Sequence, residues 1–375
     1  MKKTTTIVLG IMMLTSFSFA KDITLDEAIS LAIENNSSVI SLTAEQRQQE
    51  SDYKSVVKDT RIWQNKQAYS FETANEYLLY TGDRLEEAQL KYDTYLKSIE
   101  NAQNSAEYNL ISTLYNLELA ERNIELLEKN VEILEKQKLV HELKLQLKMI
   151  TQIDLDNFLL SYNEAKNTLN NAKNQYELGK ENLKIMLGQT EDVNVILPEI
   201  QIKLLEIEDI DKFISENINN NKTILELRYN YKTLENKYIG FKEGLFSDLE
   251  EAQMEAQGIN IKLQTKVLGD SYEALGAQLN LATNNMSTLY KSYYNNIKTS
   301  ELEMTIKYNK LELAKKNMQV VQTRYDAGYV AELDYKSAKL GLEQSEIEYR
   351  TAVINNMLLN LEFERFVETG FTKGK

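Results

Sequence analysis

Apolar residues recur along most of this chain at alternating intervals of four and three. One row reads Phe158, Tyr162, Ala165, Leu169, Ala172, Tyr176, Gly179, Leu183; a second reads Ala338, Leu342, Ser345, Tyr349, Ala352, Asn356, Leu359, Phe363. This spacing predicts helices packed in coiled-coil seams, and the Ala, Ser and Gly knobs let backbones approach closely. Ahead of each row the pattern predicts a very long helix. The first runs from about Asp83 to about Lys148 with neither Pro nor Gly, on the order of 100 Å at 1.5 Å per residue. The second runs from about Asp270 to Tyr325. The first carries two apolar rows, Leu117, Ala120, Ile124, Leu127, Val131, Leu134 and Leu119, Leu126, Ile133, Val140. Two rows on one helix call for two packing neighbours, which a cylinder of helices supplies. Charges at helical spacing, such as Glu128, Glu132 and Lys136, mark the wet side.

The pattern occurs twice, with a period near 180 residues. Leu25, Asp26, Ile29, Asn35, Asn36 and Val39 align with Ile210, Asp211, Ile214, Asn220, Asn221 and Ile224, and Ile150-Thr151-Gln152-Ile153-Asp154 aligns with Val330-Ala331-Glu332-Leu333-Asp334. The organisation expected is a first repeat over 21–188, a linker over 189–208 that contains Pro198, a second repeat over 209–370 and a tail over 371–375. Residues 1–20 read as a signal peptide: Lys2 and Lys3, the short apolar run Ile7 to Leu14, and Ser18-Phe19-Ala20 before the cleavage point. A retained membrane anchor is the rival reading. No later stretch is apolar enough for a transmembrane helix, so membrane insertion downstream would need β-strands.

Strand signals are few. Ile259 to Val267 alternates apolar and polar residues between Gly258 and Gly269, which predicts a strand near 258–268. A weaker segment near 61–80 contains Tyr69-Ser70-Phe71-Glu72-Thr73 and Tyr77-Leu78-Leu79-Tyr80. Nine residues with one apolar face suit a membrane barrel, or equally the edge of a soluble sheet. Trp63 beside this segment is a candidate interfacial anchor.

Composition narrows the function. With 13 Gly and 1 Pro in 375 residues, turns are scarce and elements long. Absence of Cys excludes disulfides, thiolate zinc sites and a lipidated cysteine. One His, His141, excludes a two-histidine metal helix and leaves no catalytic constellation. The chain therefore reads as no enzyme, with no cofactor. A net charge of −14 argues against a nucleic-acid partner.

In order, spacing and duplication, these motifs resemble the TolC family of outer-membrane efflux channels. The resemblance rests on Ile23-Thr24-Leu25-Asp26-Glu27-Ala28-Ile29 through Asn35-Asn36, on Arg324-Tyr325-Asp326-Ala327-Gly328-Tyr329-Val330-Ala331-Glu332-Leu333-Asp334, and on Met186-Leu187-Gly188. It covers essentially the whole chain after residue 20. It implies a mainly α fold of long antiparallel coiled-coil helices in two tandem repeats, assembled as a homotrimeric α-barrel in the periplasm, with a small β-barrel portion in outer-membrane lipid. The implied role is a passive exit duct of a tripartite efflux pump or a type I secretion system, served by a periplasmic adaptor and an inner-membrane pump. Asp334 matches the acidic aperture position, and Asp154 and Tyr325 match positions that meet across a closed tip. Asp154 and Asp334 could equally be helix caps. The family often has a basic residue where this chain has Val330, and it usually places two strands in each repeat where this chain shows one. The alternative is a periplasmic or surface coiled-coil protein that docks on partners without a pore. Strand content separates the two: hairpins after each early helix favour the channel, helical segments there favour the alternative.

Overall fold

The computed structural model describes residues 21–66 and 70–373. The signal-peptide reading of residues 1–20 lies outside them, as do Tyr69 and the last two residues. The chain begins with β1 (Lys21–Thr24), α1 (Leu25–Glu34), α2 (Ser37–Gln64), α3 (Ala74–Thr81), α4 (Asp83–Gln146) and α5 (Gln152–Leu187). It continues with β2 (Val193–Ile196), α6 (Ile210–Asn217), α7 (Lys222–Glu243), α8 (Asp248–Ala256), α9 (Ile261–Asp326) and α10 (Glu332–Thr369). No helix among the described residues is long and apolar enough to cross a membrane.

Two rods carry the architecture. α4 and α9, 64 and 66 residues long, each run from one end of the molecule to the other. In the half nearest the turns after them, four helices lie side by side in the order α5, α4, α10, α9. In the other half the order is α2, α4, α7, α9. The two apolar rows of α4 therefore meet neighbours on both sides, as their spacing demanded.

The shorter helices join end to end at two equivalent joints. At one, the Asn35 side-chain amide donates to the Leu187 carbonyl over 3.1 Å and Asn36 caps α2. At the other, Asn221 caps α7 against the end of α10. Both partner helices end in a left-handed glycine, Gly188 (φ 63°) and Gly370 (φ 79°). A Cβ on Gly188 would overlap Asn35, and one on Gly370 would overlap Asn221. Only glycine satisfies both the backbone and the close approach.

Apolar cores gather around these joints. Ala28, Ala32, Leu110, Leu114, Leu183 and Leu187 form one. Ile214, Ile224, Tyr290, Ile297, Phe363 and Phe366 form the other. Farther along, the layer is tied by ion pairs. Arg350 grips Glu118 with two bonds of 2.9 and 3.0 Å, and Arg365 reaches Glu107 at 2.9 Å. Such forked, partly buried pairs fix register as well as charge.

The strand expectations are corrected. Residues 261–268 open α9, and 259–260 are its lead-in, with the Asn260 side chain accepting from the Leu263 N–H at 3.0 Å. The described part of 61–80 is the end of α2, a short irregular stretch and α3, capped by Thr73. The reason is geometric. Ile259, Leu263 and Val267 are spaced by four, so a nine-residue alternation also lays an apolar stripe along a helix. The strands that do exist are short and elsewhere. β1 pairs in parallel with β2, Lys21 opposite Val193 through Thr24 opposite Ile196, so part of the expected linker is a strand. The tail is also anchored: Phe371 is buried, and Lys373 pairs with Glu362 at 3.1 Å.

Candidate functional site

The resemblance placed the working residues at the turns between α4 and α5 and between α9 and α10. Each turn closes its helix with the same motif. The Met149 N–H reaches the Lys144 carbonyl, and the Tyr329 N–H reaches the Arg324 carbonyl, both at 2.8 Å. This closure needs one left-handed residue. Gly328 (φ 77°) fills it in the second turn and Lys148 (φ 57°) in the first. Lys148 is the one described non-glycine residue with positive φ, so the first turn holds the strain that the second avoids. Replacing Lys148 with glycine should stabilise the chain by about 0.5–1 kcal/mol, read as a higher urea midpoint.

Asp154 is the third residue of α5. Its carboxylate accepts from the Thr151 N–H and the Thr151 hydroxyl, each at 2.8 Å, while its own N–H donates back to that hydroxyl at 3.2 Å. Thr151 is thus the cap and Asp154 completes the capping box. The Thr151 backbone N–H, then its hydroxyl, hold the Asp154 carboxyl below the usual carboxylate range. Asp334 holds the equivalent place in α10, but the capping position there is Ala331, which offers no side-chain acceptor. Asp334 is exposed and makes no side-chain hydrogen bond among the described residues. The two aspartates therefore divide: one is engaged at its helix start, the other is free.

Tyr325 lies half-buried with its ring stacked on Tyr335, centroids 4.4 Å apart. The Tyr335 hydroxyl donates to Gln322 at 2.6 Å. The chain does not bring Tyr325 onto Asp154 by itself; within the single chain that carboxylate is turned to Thr151. Near the first turn a different ring pair stacks, His141 on Phe158, 4.2 Å apart.

Between the turns lies an ion network that sequence reasoning missed. Lys136 bridges Glu132 at 3.2 Å and Glu332 at 3.7 Å, and Lys336 bridges Glu332 at 3.1 Å and Glu132 at 3.4 Å. The i, i+4 pairs within each helix were the readable signal; their meeting across α4 and α10 was not. The network also marks the stagger. Glu332, the first residue of α10, sits level with Lys136, ten residues before the end of α4, so the first turn projects roughly 10 Å beyond the second at 1.5 Å per residue. It is tipped with exposed Met149 and Ile153, and the second with Tyr329, which is 80% exposed.

The fold is that of the TolC-type outer-membrane channels. The outer-membrane channel CmeC of Campylobacter jejuni matches with a TM-score of 0.63 at 12% identity, over 94% of this chain and 87% of that one. The outer-membrane protein VceC of Vibrio cholerae matches with a TM-score of 0.60 at 11% identity, over 93% and 97%. The outer-membrane channel OprN matches with a TM-score of 0.58 at 13% identity, over 92% and 89%. No protein-family model and no curated protein sequence matches the chain.

Proposed function

We propose that the chain is one wall segment of a trimeric duct, the outer-membrane component of an efflux or type I secretion pathway, with its helical part in the periplasm. The observation that carries this is the open four-helix layer. Its flanks are α5 and α9, and both expose apolar stripes. On α5 these are Ile153, Leu160, Leu178 and Ile185; on α9 they are Leu302, Ile306, Leu313 and Val320. Each set follows one helix face, with steps of 7, 18 and 7 on α5 and of 4, 7 and 7 on α9. Two different sticky flanks join head to tail, and head-to-tail contacts close into rings where the rotation between copies closes. A ring of three encloses a lumen. An adaptor and an inner-membrane pump would supply cargo and energy.

In that ring the turns come together at the axis. Three copies of Asp334, unengaged by any cap, would form an acidic aperture that favours cations. Tyr325 and Asp154 of adjacent chains would form the latch, with Asp154 leaving part of its bond set to Thr151. The test is mass by light scattering together with electron micrographs: three chains around an open centre are expected. The absence of Cys permits a single spin label at Met149→Cys, and Asp154→Ala with Tyr325→Phe should shift the label distances outward.

A second reading is favoured by one specific observation: in the described residues, both segments that would carry barrel hairpins are helices joined by short irregular stretches, without a strand. It makes the chain a periplasmic coiled-coil protein without a pore. A monomer, or a trimer with a filled centre, would decide for it.

A further inference from the structure

At the end opposite the turns, the two segments that replace hairpins pack on one another. The Ala74 N–H donates to the Leu245 carbonyl at 2.9 Å. A Cβ on Gly240 would press on Ala74. The Thr265 hydroxyl reaches the Phe241 carbonyl at 3.4 Å. The α2–α4 and α7–α9 connections thus form a joint helical cap over the ends of the rods.

The cap's side chains are of a particular kind. Trp63, Phe71, Tyr77 and Tyr80 form one aromatic cluster, with Phe71 edge-on to Tyr77 at 5.4 Å and Tyr80 at 5.2 Å from Phe71. Phe241 and Phe246 form another, 4.9 Å apart. The Lys66 ammonium lies 3.7 Å over the Trp63 ring. At the start of α9, where Thr265 meets Phe241, the side chains of Ile259, Leu263 and Val267 stand exposed in one stripe, Leu263 at 61%, flanked by exposed Lys262 and Lys266. An apolar stripe edged by lysines, on a cap that also carries Trp and Tyr, is the chemistry of the membrane interface: hydrocarbon takes the stripe, phosphates take the ammonium groups, and amphipathic rings sit at the boundary. Residues 61–82 and 241–269 carry five basic and seven acidic side chains, about the same net charge per residue as the whole chain at −14. The acidic share is concentrated on α8, at Asp248, Glu250, Glu251 and Glu255.

We infer that this cap seats on a phospholipid surface, with Leu263 and Val267 entering the interface and Lys262 and Lys266 meeting the phosphates, and that it attaches the chain without spanning the bilayer. The inference takes from the proposed function only which membrane is meant; it stands or falls separately from the trimer.

Trp63 is the sole tryptophan, so its fluorescence reports the cap alone. The full chain is mixed with vesicles of phosphatidylethanolamine containing a minor phosphatidylglycerol fraction, with and without brominated acyl chains. Expected are co-flotation, quenching of Trp63 by the brominated lipid and release by alkaline carbonate. The variant Leu263→Ser/Val267→Ser should partition about tenfold less with unchanged circular dichroism. Four results would overturn the inference: folded protein that stays in solution, flotation without Trp63 quenching, resistance to carbonate, or a variant that changes the oligomeric mass but not the flotation. The last would assign the stripe to a second copy of the chain. A monomer that floats with Trp63 quenched would sink the duct and leave the cap standing.

Discussion

Replacing Lys232 with methionine should destabilise the chain by about 3 kcal/mol, the low end for breaking a buried charge pair because one of its partners stays in water. The Lys232 side chain is 10% exposed where α7 crosses the start of α4. Its ammonium lies 2.7 Å from Asp83, 2.9 Å from Glu86 and 2.9 Å from Glu235. Methionine keeps the volume but leaves Asp83 and Glu235 facing one another half-buried, with no cation between them. Burial by itself would lower the Lys232 pKa; the hydrogen bonds to Asp83, Glu235 and Glu86 outweigh it and raise it. For Asp83 burial again acts first, upward, and is overcome by the Lys232 and Thr81 hydrogen bonds, so its carboxyl is held below the usual value.

The signs give a pH signature. A lowered carboxyl contributes stability above its ordinary value of 3.8, lost as pH falls through the folded-state value. A raised ammonium contributes below its ordinary value of 10.5, lost as pH rises through its folded-state value. Lys232→Met should therefore cost most between those limits and flatten both limbs of the profile, measured by urea unfolding at successive pH values. Lys232→Arg should retain most of the stability. A variant of unchanged midpoint at neutral pH would show the carboxylates to be solvated without the lysine.

The same junction shows what the sequence made legible. The extent of α4 was readable because nothing in Asp83–Lys148 interrupts a helix and the apolar rows hold one period from Leu117 to Val140. The 4-3 rows of α5 and α10 were equally plain. The start of α9 was not. Over nine residues a period of two contains a period of four, and Gly269 looked like a strand boundary, although it lies inside α9 against the Tyr238 ring. Thr73-Ala74-Asn75-Glu76 was a readable capping signal: Thr73 accepts from the Glu76 N–H at 3.3 Å and Glu76 from the Glu72 N–H at 2.8 Å. The aromatic residues around it, Phe71, Tyr77 and Tyr80, carry strand propensity and mask that signal. β1 and β2 are four residues each and pair across some 170 positions; no local pattern encodes that partnership.

At the turns, identity was legible and engagement was not. Thr151 three residues before Asp154 is a capping box in the sequence itself, and Ala331 before Asp334 is the lack of one. That difference, more than the aspartates, separates the two positions. Tyr335 and the network of Glu132, Lys136, Glu332 and Lys336 depend on the stagger of two hairpins, which is set by packing along the whole of α4 and α10.

Charging one flank should dissolve the proposed ring, and the way it dissolves reveals the symmetry. Leu302→Glu/Ile306→Glu on α9 would bury two unpaired carboxylates against the neighbouring α5. At a few kcal/mol for the pair, association should weaken by at least about a hundredfold, and light scattering at micromolar protein should give the mass of one chain. Leu160→Glu/Leu178→Glu on α5 should do the same. All four positions are exposed in the single chain, so neither variant should change its circular dichroism. The decisive step is mixing the two. The α9 variant keeps a sound α5 flank and the α5 variant a sound α9 flank, so one head-to-tail contact survives between them. They should form a one-to-one dimer that cannot close. A two-fold contact between identical flanks predicts the reverse: charging its flank leaves that variant monomeric, charging the other leaves dimers, and mixing gives no new species. A chain that stays monomeric before any substitution rejects the ring itself.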